Sequence, residues 1–188
     1  LRGHSDTEVL LEAIARRGVE QAVRLAVGMF AFAAWDAEGR ELWLGRDRFG
    51  EKPLYYGRHG AALLFGSELK ALTAAPGFSP SVDPDSLVEL LRWSCVPAPL
   101  TIFHGVYKVR PGHLVRFNAS GDLVDDSSYW SATDAAQRVP VHGPRGEEAV
   151  DELAELLSRT VGSRMVSDVP LGAFLSGGID SSTIVAMM

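Results

Sequence analysis

The sequence predicts an α+β domain that is followed by the start of an α/β domain. Over most of the chain, helical patterns alternate with pairs of strand-like segments joined by short turns. Helices and antiparallel hairpins in this order are typical of a layered α+β domain. Near the carboxyl end, residues 171–182 instead have the pattern of a buried strand, a glycine turn and the first turn of a helix. That order is typical of a strand–helix unit in a parallel sheet.

The helices of the first domain are predicted from their ends. Ser5 and Glu8 have the spacing of a capping box with Ser5 as N-cap, and Gly18 is expected to end this helix. Asp83 followed by Pro84 has the pattern of a capped helix start. We therefore expect helices at residues 5–18, 19–26, 68–72 and 84–93.

Two hairpins and one further strand are predicted from apolar runs and turn residues. Apolar runs on either side of a turn at residues 36–39 indicate the first hairpin, and runs that flank Arg58-His59-Gly60 indicate the second. Pro111 and Gly112 are expected to turn the chain into the further strand. The predicted strands are residues 28–35, 41–45, 54–56, 61–65 and 114–117.

Residues 171–182 have the features of a phosphate-binding loop. The apolar run at 169–175 predicts a strand that is covered on both faces. Ser176-Gly177-Gly178 then turns the chain, and its glycines let a bulky anion approach the main chain. Asp180, Ser181 and Ser182 are expected to cap a helix at 183–188, whose free N–H groups and dipole favour phosphate.

This loop has two alternative interpretations, a Walker-type loop and a purely structural turn. A Walker-type loop needs a lysine before its closing Ser or Thr, and residues 171–188 contain no lysine. In the second alternative, the glycines only make a tight turn and Asp180 only caps the helix. The segment 176–182 resembles the pyrophosphate loop of the N-type ATP pyrophosphatases, which split ATP into AMP and pyrophosphate.

Composition excludes several other classes of function. The formal net charge is −6 and no long basic run occurs, which argues against a nucleic-acid-binding surface. We find no apolar run of membrane-spanning length and no signal-peptide pattern, so we expect no membrane partner and a cytoplasmic location. The single Cys95 cannot form an internal disulfide, which fits a reducing compartment.

The order of several segments resembles the later half of a class II glutamine amidotransferase domain, a layered Ntn-type fold. The matching segments are residues 5–11, 28–32, 45–56, 67–72, 101–106 and 111–113. Followed by the pyrophosphate loop, this order is similar to the glutamine-hydrolysing asparagine synthetase family. The resemblance implies an amidotransferase part at 1–124 and the start of an ATP-pyrophosphatase domain at 147–188. Residues 125–146 are polar and poor in periodicity, so we interpret them as a linker.

Both ends of the chain suggest to us a piece of a longer protein. The chain starts at Leu1 and stops at Met188, soon after the phosphate loop, whose neighbouring strands we expect elsewhere. The family's amino-terminal cysteine nucleophile, the arginine that holds the glutamine carboxylate and the Asn-Gly oxyanion donors have no counterpart here. We therefore expect no catalytic residue in this segment and no glutaminase activity from it alone.

The resemblance assigns two groups of site residues. Asp6 would accept hydrogen bonds from the α-ammonium group of glutamine, although it could equally be a carboxylate that stabilises its own helix start. Asp180 matches an aspartate associated with Mg²⁺. The residues implied to bind ATP and its pyrophosphate are Leu175, Ser176, Gly177, Gly178, Asp180, Ser181 and Ser182.

Other reactive side chains are assigned less specific roles. Cys95 lacks a neighbouring base or positive charge in the sequence, so we do not expect a nucleophile. The five histidines are scattered without zinc-site spacing and are interpreted as surface or turn residues. For Arg46, Asp47 and Lys52, we favour a structural network around the turn at 49–50 over a catalytic role.

Three functions follow as hypotheses. The first is an asparagine synthetase, in which aspartate is adenylated by ATP and amidated by ammonia from glutamine. Its substrates would be ATP, aspartate and glutamine, with Mg²⁺ as cofactor and a homodimer as a possible assembly. The second is a related enzyme that activates another carboxylate, such as a β-lactam synthetase or a peptide cyclase. The third is a non-catalytic scaffold fragment.

Overall fold

A computed structural model of the protein describes residue 3 and residues 5–139 and 143–188. The chain forms two compact units, Leu1–Gln137 and Arg138–Met188. The first unit holds both sheets and most of the buried side chains, whereas the described part of the second unit contains two helices and no strand.

The helices of the first unit begin and end close to the predicted positions. Ser5 is the N-cap of the first helix, and its hydroxyl accepts a hydrogen bond from Thr7 N at 3.2 Å. Asp83 caps the fourth helix through Asp85 N, with Pro84 at the first helical position. The helices are α1 (Asp6–Arg17), α2 (Val19–Leu25), α3 (Leu69–Thr73), α4 (Pro84–Trp93) and α5 (Ala132–Gln137).

The strands of this unit form two antiparallel sheets. The strands are β1 (Ala31–Asp36), β2 (Glu41–Arg46), β3 (Tyr55–His59), β4 (Ala62–Gly66), β5 (Val106–Lys108), β6 (His113–Phe117) and β7 (Leu123–Ser128). Sheet one has the strand order β1-β2-β6-β7, and sheet two has the order β4-β3-β5. Both predicted hairpins are confirmed, as β1–β2 and β3–β4.

The central pair β2–β6 separates two apolar cores. Leu44 lies opposite Val115, and both belong to a core that Leu54 and Val109 complete on the side of sheet two. The adjacent Leu114 points to the other face, where it packs with Val23 of α2 and with Tyr129. Because side chains alternate along a strand, one pair of strands supports both cores. The unit is therefore layered as helices, sheet one and sheet two, which confirms the α+β prediction.

The first strand begins later than predicted. Residues 28–30 are not in β1, and Gly28 has a φ of +132°, which interrupts regular strand geometry. Asp47 pairs with Phe30, as a residue of a neighbouring strand would. Its backbone N–H donates to Phe30 O at 2.9 Å, and its carboxylate accepts from Phe30 N at 3.3 Å.

The predicted linker at 125–146 is wrong in its first half. Residues 125–128 complete β7, which pairs with β6, and residues 132–137 form α5. Tyr129 between them is buried in the core beside α2. The sequence suggested a linker because β7 is a polar edge strand, whose backbone pairing does not require apolar side chains. Residues 140–142 lie outside the described part of the chain.

The second unit contains α6 (Glu147–Arg164) and α7 (Ile179–Met187), which contact each other. Val150, Leu153, Leu157 and Val161 recur at helical spacing along α6, and Val161 is its buried residue. The strand predicted at 169–175 does not form, and the side chain of Phe174 is fully exposed. No strand occurs among residues 143–188 to pair with this segment, so its backbone lacks a ladder partner.

Candidate functional site

A cleft of about 1050 Å³ in the first unit has Asp6 on its wall. The start of α1 forms one side, and the segment from Leu25 to Ala33 forms another. Its charged side chains are Asp6 and Lys52, and Thr7 and Ser67 add hydroxyl groups to an otherwise apolar lining. One acid and one base in an apolar cleft suit a small zwitterion, because each end of such a molecule finds an opposite charge.

Asp6 occupies the first position of α1 and is exposed to solvent. Its Oδ1 accepts hydrogen bonds from Thr7 N at 2.7 Å and from Thr7 Oγ1 at 3.4 Å. The carboxylate thus stabilises its own helix start, as the alternative interpretation expected. Both interpretations fit this position, since Oδ2 has no hydrogen bond to any described residue while the side chain lines the cleft.

Asp47 organises the turn that carries Lys52 to the cleft. Only 1% of Asp47 is exposed, and its carboxylate accepts four backbone hydrogen bonds. Oδ1 accepts from Phe49 N at 3.1 Å and Glu51 N at 2.9 Å, and Oδ2 accepts from Lys52 N at 2.9 Å and from Phe30 N at the start of β1. Burial alone would raise the pKa of Asp47, but these four hydrogen bonds outweigh it and hold the pKa below its ordinary value of 3.8.

Arg46 satisfies the carbonyl groups of the same turn. Its guanidinium donates to Lys52 O at 2.7 Å, to Gly50 O at 2.6 Å and to Val109 O at 2.8 Å. Burial lowers the pKa of Arg46, and the neighbouring Asp47 carboxylate opposes that shift. Arg46 therefore donates hydrogen bonds to carbonyl groups of the turn, and Asp47 accepts hydrogen bonds from its N–H groups. The structural network favoured from the sequence is confirmed for these two residues.

Cys95 is an exposed free thiol just after α4. The charged side chain near it is Lys108, whose ammonium group donates to Val96 O. Burial and the charge of Arg46 lower the pKa of Lys108, and the electrostatic effect of Cys95 raises it. Lys108 gives Cys95 a neighbouring positive charge that the sequence did not indicate, but no described residue offers the thiol a base through a hydrogen bond.

The histidines that the structure describes do not belong to a metal-binding cluster. Across residues 3, 5–139 and 143–188, no group of three His, Cys, Asp or Glu side chains could hold a metal ion. His59 packs edge-on against Phe78, and His104 is exposed. His113 departs from the surface or turn role expected of it, because it lies half-buried in β6 with Nδ1 2.7 Å from Asp126 Oδ1. His4 and His142 lie outside the described residues.

The predicted phosphate loop precedes α7 in the second unit. Gly177 has a φ of +80°, and a Cβ added there would meet no atom within 4 Å, so the main chain is open on that side. Ser176 Oγ and Ser181 Oγ lie 2.9 Å apart, and Ser181 Oγ also donates to Gly178 O. These contacts bring the two ends of the loop together. Leu175, immediately before the loop, is exposed.

The helix after the loop starts earlier than predicted. Gly178 is the N-cap and α7 begins at Ile179, so Asp180, Ser181 and Ser182 lie inside the first turn and do not cap it. Gly178 can be the N-cap because its extended backbone and its carbonyl, which accepts from Ser182 N at 3.1 Å, start the helix without a side chain. The idea that Asp180 is only a helix cap is therefore wrong.

This start of α7 fits a polyphosphate and a divalent cation. No side chain caps the helix, which leaves the N–H groups of its first turn available to an anion. The carboxylate of Asp180 is exposed in the same turn and would repel a bound phosphate on its own. A hard cation between the two would remove that repulsion, because Mg²⁺ takes carboxylate and phosphate oxygens together.

The sequence did not predict one charged cluster of the first unit. The carboxylate of Asp126 in β7 makes hydrogen bonds with both His113 and Arg110, and Arg110 Nη1 lies 2.5 Å from Asp126 Oδ2. The strands β6 and β7 pair in a register that brings these residues together. Because β7 was not predicted, nothing in the sequence connected Asp126 with the other two side chains.

No helix of the described chain is long and apolar enough to cross a membrane.

Comparison with known proteins identifies both parts of the chain. The family profile of the glutamine amidotransferase domain matches residues 1–130, and that of asparagine synthase matches residues 152–188. Asparagine synthetases [glutamine-hydrolyzing] 3 and 1 of Bacillus subtilis are each 38% identical to this chain, over 99% and 97% of it. Amidase chry2 of Gibberella zeae is 33% identical over 99% of the chain.

These matches cover a limited part of the relatives. The chain spans 30% and 28% of the two Bacillus subtilis synthetases and 27% of the amidase. Within this chain, the amidotransferase profile covers most of the first unit, including α1 with Asp6 and the turn around Asp47. The order of the two profiles is the order inferred from the motifs. The chain therefore belongs to the glutamine amidotransferase domain family, with an asparagine synthase segment at its carboxyl end.

Proposed function

We propose that this chain is part of a glutamine-dependent asparagine synthetase. The observation that supports the proposal best is the 38% identity to two glutamine-hydrolysing asparagine synthetases along almost the whole chain. Such an enzyme is a carbon–nitrogen ligase that couples ATP cleavage to the transfer of ammonia from glutamine to aspartate. The two units would serve the two halves of that reaction.

In the amidotransferase half, Asp6 would bind the α-ammonium group of glutamine. Its position on the wall of the cleft supports this role, because a carboxylate there can accept charge-assisted hydrogen bonds from an ammonium group. Lys52 provides the opposite charge in the same cleft and could bind the α-carboxylate. This part of the proposed enzyme would extend through α5 to Gln137, beyond the boundary at 124 that the sequence suggested, because β7 and α5 belong to the first unit.

In the synthetase half, the loop before α7 would bind ATP and its departing pyrophosphate. The proposed contacts come from Leu175, Ser176, Gly177, Gly178, Asp180, Ser181 and Ser182. The open main chain at Gly177 supports close approach of phosphate oxygens, and the free N–H groups of α7 support their charge. Asp180 would hold Mg²⁺, which neutralises phosphate charge when it is bound.

The exchange of labelled pyrophosphate into ATP tests this assignment in the natural protein that carries the chain. The substitution Asp180→Asn keeps the side-chain shape and removes the charge. We expect normal folding and a loss of exchange of about a hundredfold, which corresponds to roughly 2.7 kcal/mol of transition-state stabilisation. Asp151→Asn on the exposed surface of α6 is the matched control and should leave exchange unchanged. Exchange within about twofold of the parent at saturating Mg²⁺ would refute the metal role of Asp180.

A second candidate is an enzyme that activates a different carboxylate, as a β-lactam synthetase or peptide cyclase does. One relative, 33% identical to this chain, is named an amidase and not an asparagine synthetase, and family membership alone does not fix the acceptor. The same exchange assay separates the candidates. Exchange that depends on aspartate supports the synthetase, and exchange that other carboxylates stimulate more strongly supports the alternative.

A further inference from the structure

A second cleft, of about 440 Å³, lies elsewhere in the first unit. It shares no lining residue with the cleft beside Asp6. Its volume lies within the range of small-molecule sites. The side chains that matter for recognition are Arg48, Phe49, Arg110, His113, Trp130 and Ser131. We refer to it as the Arg110 cleft.

The charge of the Arg110 cleft is opposite to that of the whole chain. The chain has 24 acidic and 18 basic residues and a formal net charge of −6. Two arginines and a histidine nevertheless line the cleft, and its lining contains no Asp or Glu. Arg48 and Arg110 favour an anion, because an anion there approaches two cations without approaching a lining carboxylate.

Asp126 lies behind the lining and orients two of these side chains. Its Oδ2 is 2.5 Å from Arg110 Nη1, and its Oδ1 is 2.7 Å from His113 Nδ1. The side chains of Asp126 and His113 are only 22% and 19% exposed, so this contact is largely protected from solvent. The second terminal nitrogen of Arg110 and Nε2 of His113 have no hydrogen-bond partner among the described residues. Both groups remain available to a ligand.

The contact with Asp126 also determines what His113 can offer. An ionised carboxylate only accepts hydrogen bonds, so Nδ1 of His113 must carry the proton in this contact. In the neutral ring, Nε2 is then an acceptor. With the ring neutral, a ligand that uses both side chains needs a negative group for Arg110 and a hydroxyl hydrogen for His113.

An aromatic wall completes the Arg110 cleft. The rings of Phe49 and Trp130 pack with centroids 5.0 Å apart, and Phe49 is 68% exposed despite its size. Arg48 is held in place beside them, since it donates to Ala26 O at 2.6 Å and to Arg24 O at 2.9 Å. An exposed ring at a cationic cleft offers apolar contact to a flat substituent.

From these groups, we propose that the Arg110 cleft binds a small 2-hydroxy carboxylate with a flat apolar substituent. Arg110 donates to the carboxylate, Nε2 of His113 accepts from the 2-hydroxyl, and the substituent packs on Phe49 and Trp130. A 2-hydroxy acid fits because it carries a carboxylate and a hydroxyl on neighbouring carbons, and Arg110 and His113 are both held by the one carboxylate of Asp126. The Arg110 cleft shares no residue with the sites proposed for glutamine and ATP.

Titration of the natural protein with mandelate tests the proposal, with the indole N–H resonance of Trp130 as the signal. Phenylacetate lacks the hydroxyl and benzyl alcohol lacks the carboxylate, so the two compounds remove one proposed contact each. We expect mandelate to bind about fivefold more tightly than phenylacetate and at least tenfold more tightly than benzyl alcohol. Equal affinity for the three compounds, or no saturable shift with mandelate, would overturn the proposal without any variant.

Two variants locate the binding. Arg110→Gln should weaken mandelate at least tenfold. Arg58→Gln is the matched control, since Arg58 also pairs with an aspartate, Asp122 at 2.6 Å, and is similarly exposed, but lies outside the cleft. The control should bind mandelate like the parent. Loss of binding in both variants, or in neither, would contradict a specific site at Arg110.

Discussion

The substitution Asp47→Asn should destabilise the first unit far more than a typical change of one carboxylate to an amide. The side chain is buried, and each of its two oxygens accepts two backbone N–H groups. Asparagine has one oxygen and one NH₂ group of the same shape. Whichever way the amide points, two backbone donors face another donor and lose their acceptor.

The expected cost follows from these two lost acceptors. An unsatisfied buried donor costs about 1–3 kcal/mol, so the pair costs about 2–6 kcal/mol. A whole domain is stable by only about 5–15 kcal/mol. We therefore expect Asp47→Asn to remove about 4 kcal/mol, near the middle of that range, which is a large part of the unit's stability.

Urea unfolding followed by tryptophan fluorescence measures this loss. All four tryptophans, residues 35, 43, 93 and 130, lie in the first unit, so the signal reports on that unit. Asp36→Asn is the matched control, because the exposed Asp36 also accepts two backbone N–H groups, both through Oδ1. The control should lose less than about 1 kcal/mol. If the two variants differed by less than 1 kcal/mol, the network assigned to Asp47 would be refuted.

The same network predicts a dependence on pH. The pKa of Asp47 is lower in the folded state than its ordinary value of 3.8, so the charged form is favoured by folding. That contribution is complete well above pH 3.8 and disappears as the pH falls through the folded-state pKa. Asparagine has no such titration. The stability difference between the parent and Asp47→Asn should therefore shrink in acid, and a constant difference from pH 7 to pH 2 would contradict this account.

Three further changes test other parts of the structure. Gly112→Ala places a Cβ 2.3 Å from Trp130 O at a φ of +68°, so we expect the free energy of unfolding to fall by more than about 2 kcal/mol. Gly121→Ala, whose nearest contact would be 3.4 Å, should cost less, and equal losses would contradict the close approach at Gly112. In Arg46→Lys, the lysine cannot reach all three carbonyl groups, and the free energy of unfolding in urea should fall by about 2 kcal/mol. An unchanged urea midpoint would show that these contacts are dispensable. The chain alone should release no glutamate from glutamine, and release that vanished in Cys95→Ala would identify a nucleophile that we do not expect.

Local signals in the sequence predicted the helix ends and the hairpins well. Ser5 and the pair Asp83–Pro84 mark helix starts through contacts within a few residues, and such contacts do not depend on the rest of the fold. The hairpin turn around Gly60 is local in the same sense. The family resemblance added the order of the two parts, which the comparisons confirmed.

Pairing between distant strands could not be predicted. Nothing near Leu44 indicates that it lies opposite Val115, and this pair sits at the centre of the fold. The polar strand β7 was missed because an edge strand is held by backbone hydrogen bonds. The apolar run at 169–175 was overinterpreted for the converse reason, since a strand pattern needs a partner strand before it becomes a strand.

Because of the buried carboxylate of Asp47, the solvent exposure of the turn at 48–52 does not indicate that the turn tolerates an insertion. Judged by Phe49, which is 68% exposed, the turn at 48–52 would be a convenient place to graft an epitope or a fluorescent label. The N–H groups of Phe49, Glu51 and Lys52 are nevertheless bonded to Asp47, and the carbonyl of Gly50 is bonded to Arg46, so an inserted residue would break several hydrogen bonds at once. The tip of the β1–β2 hairpin, with its contacts confined to Asp36, is the better grafting position.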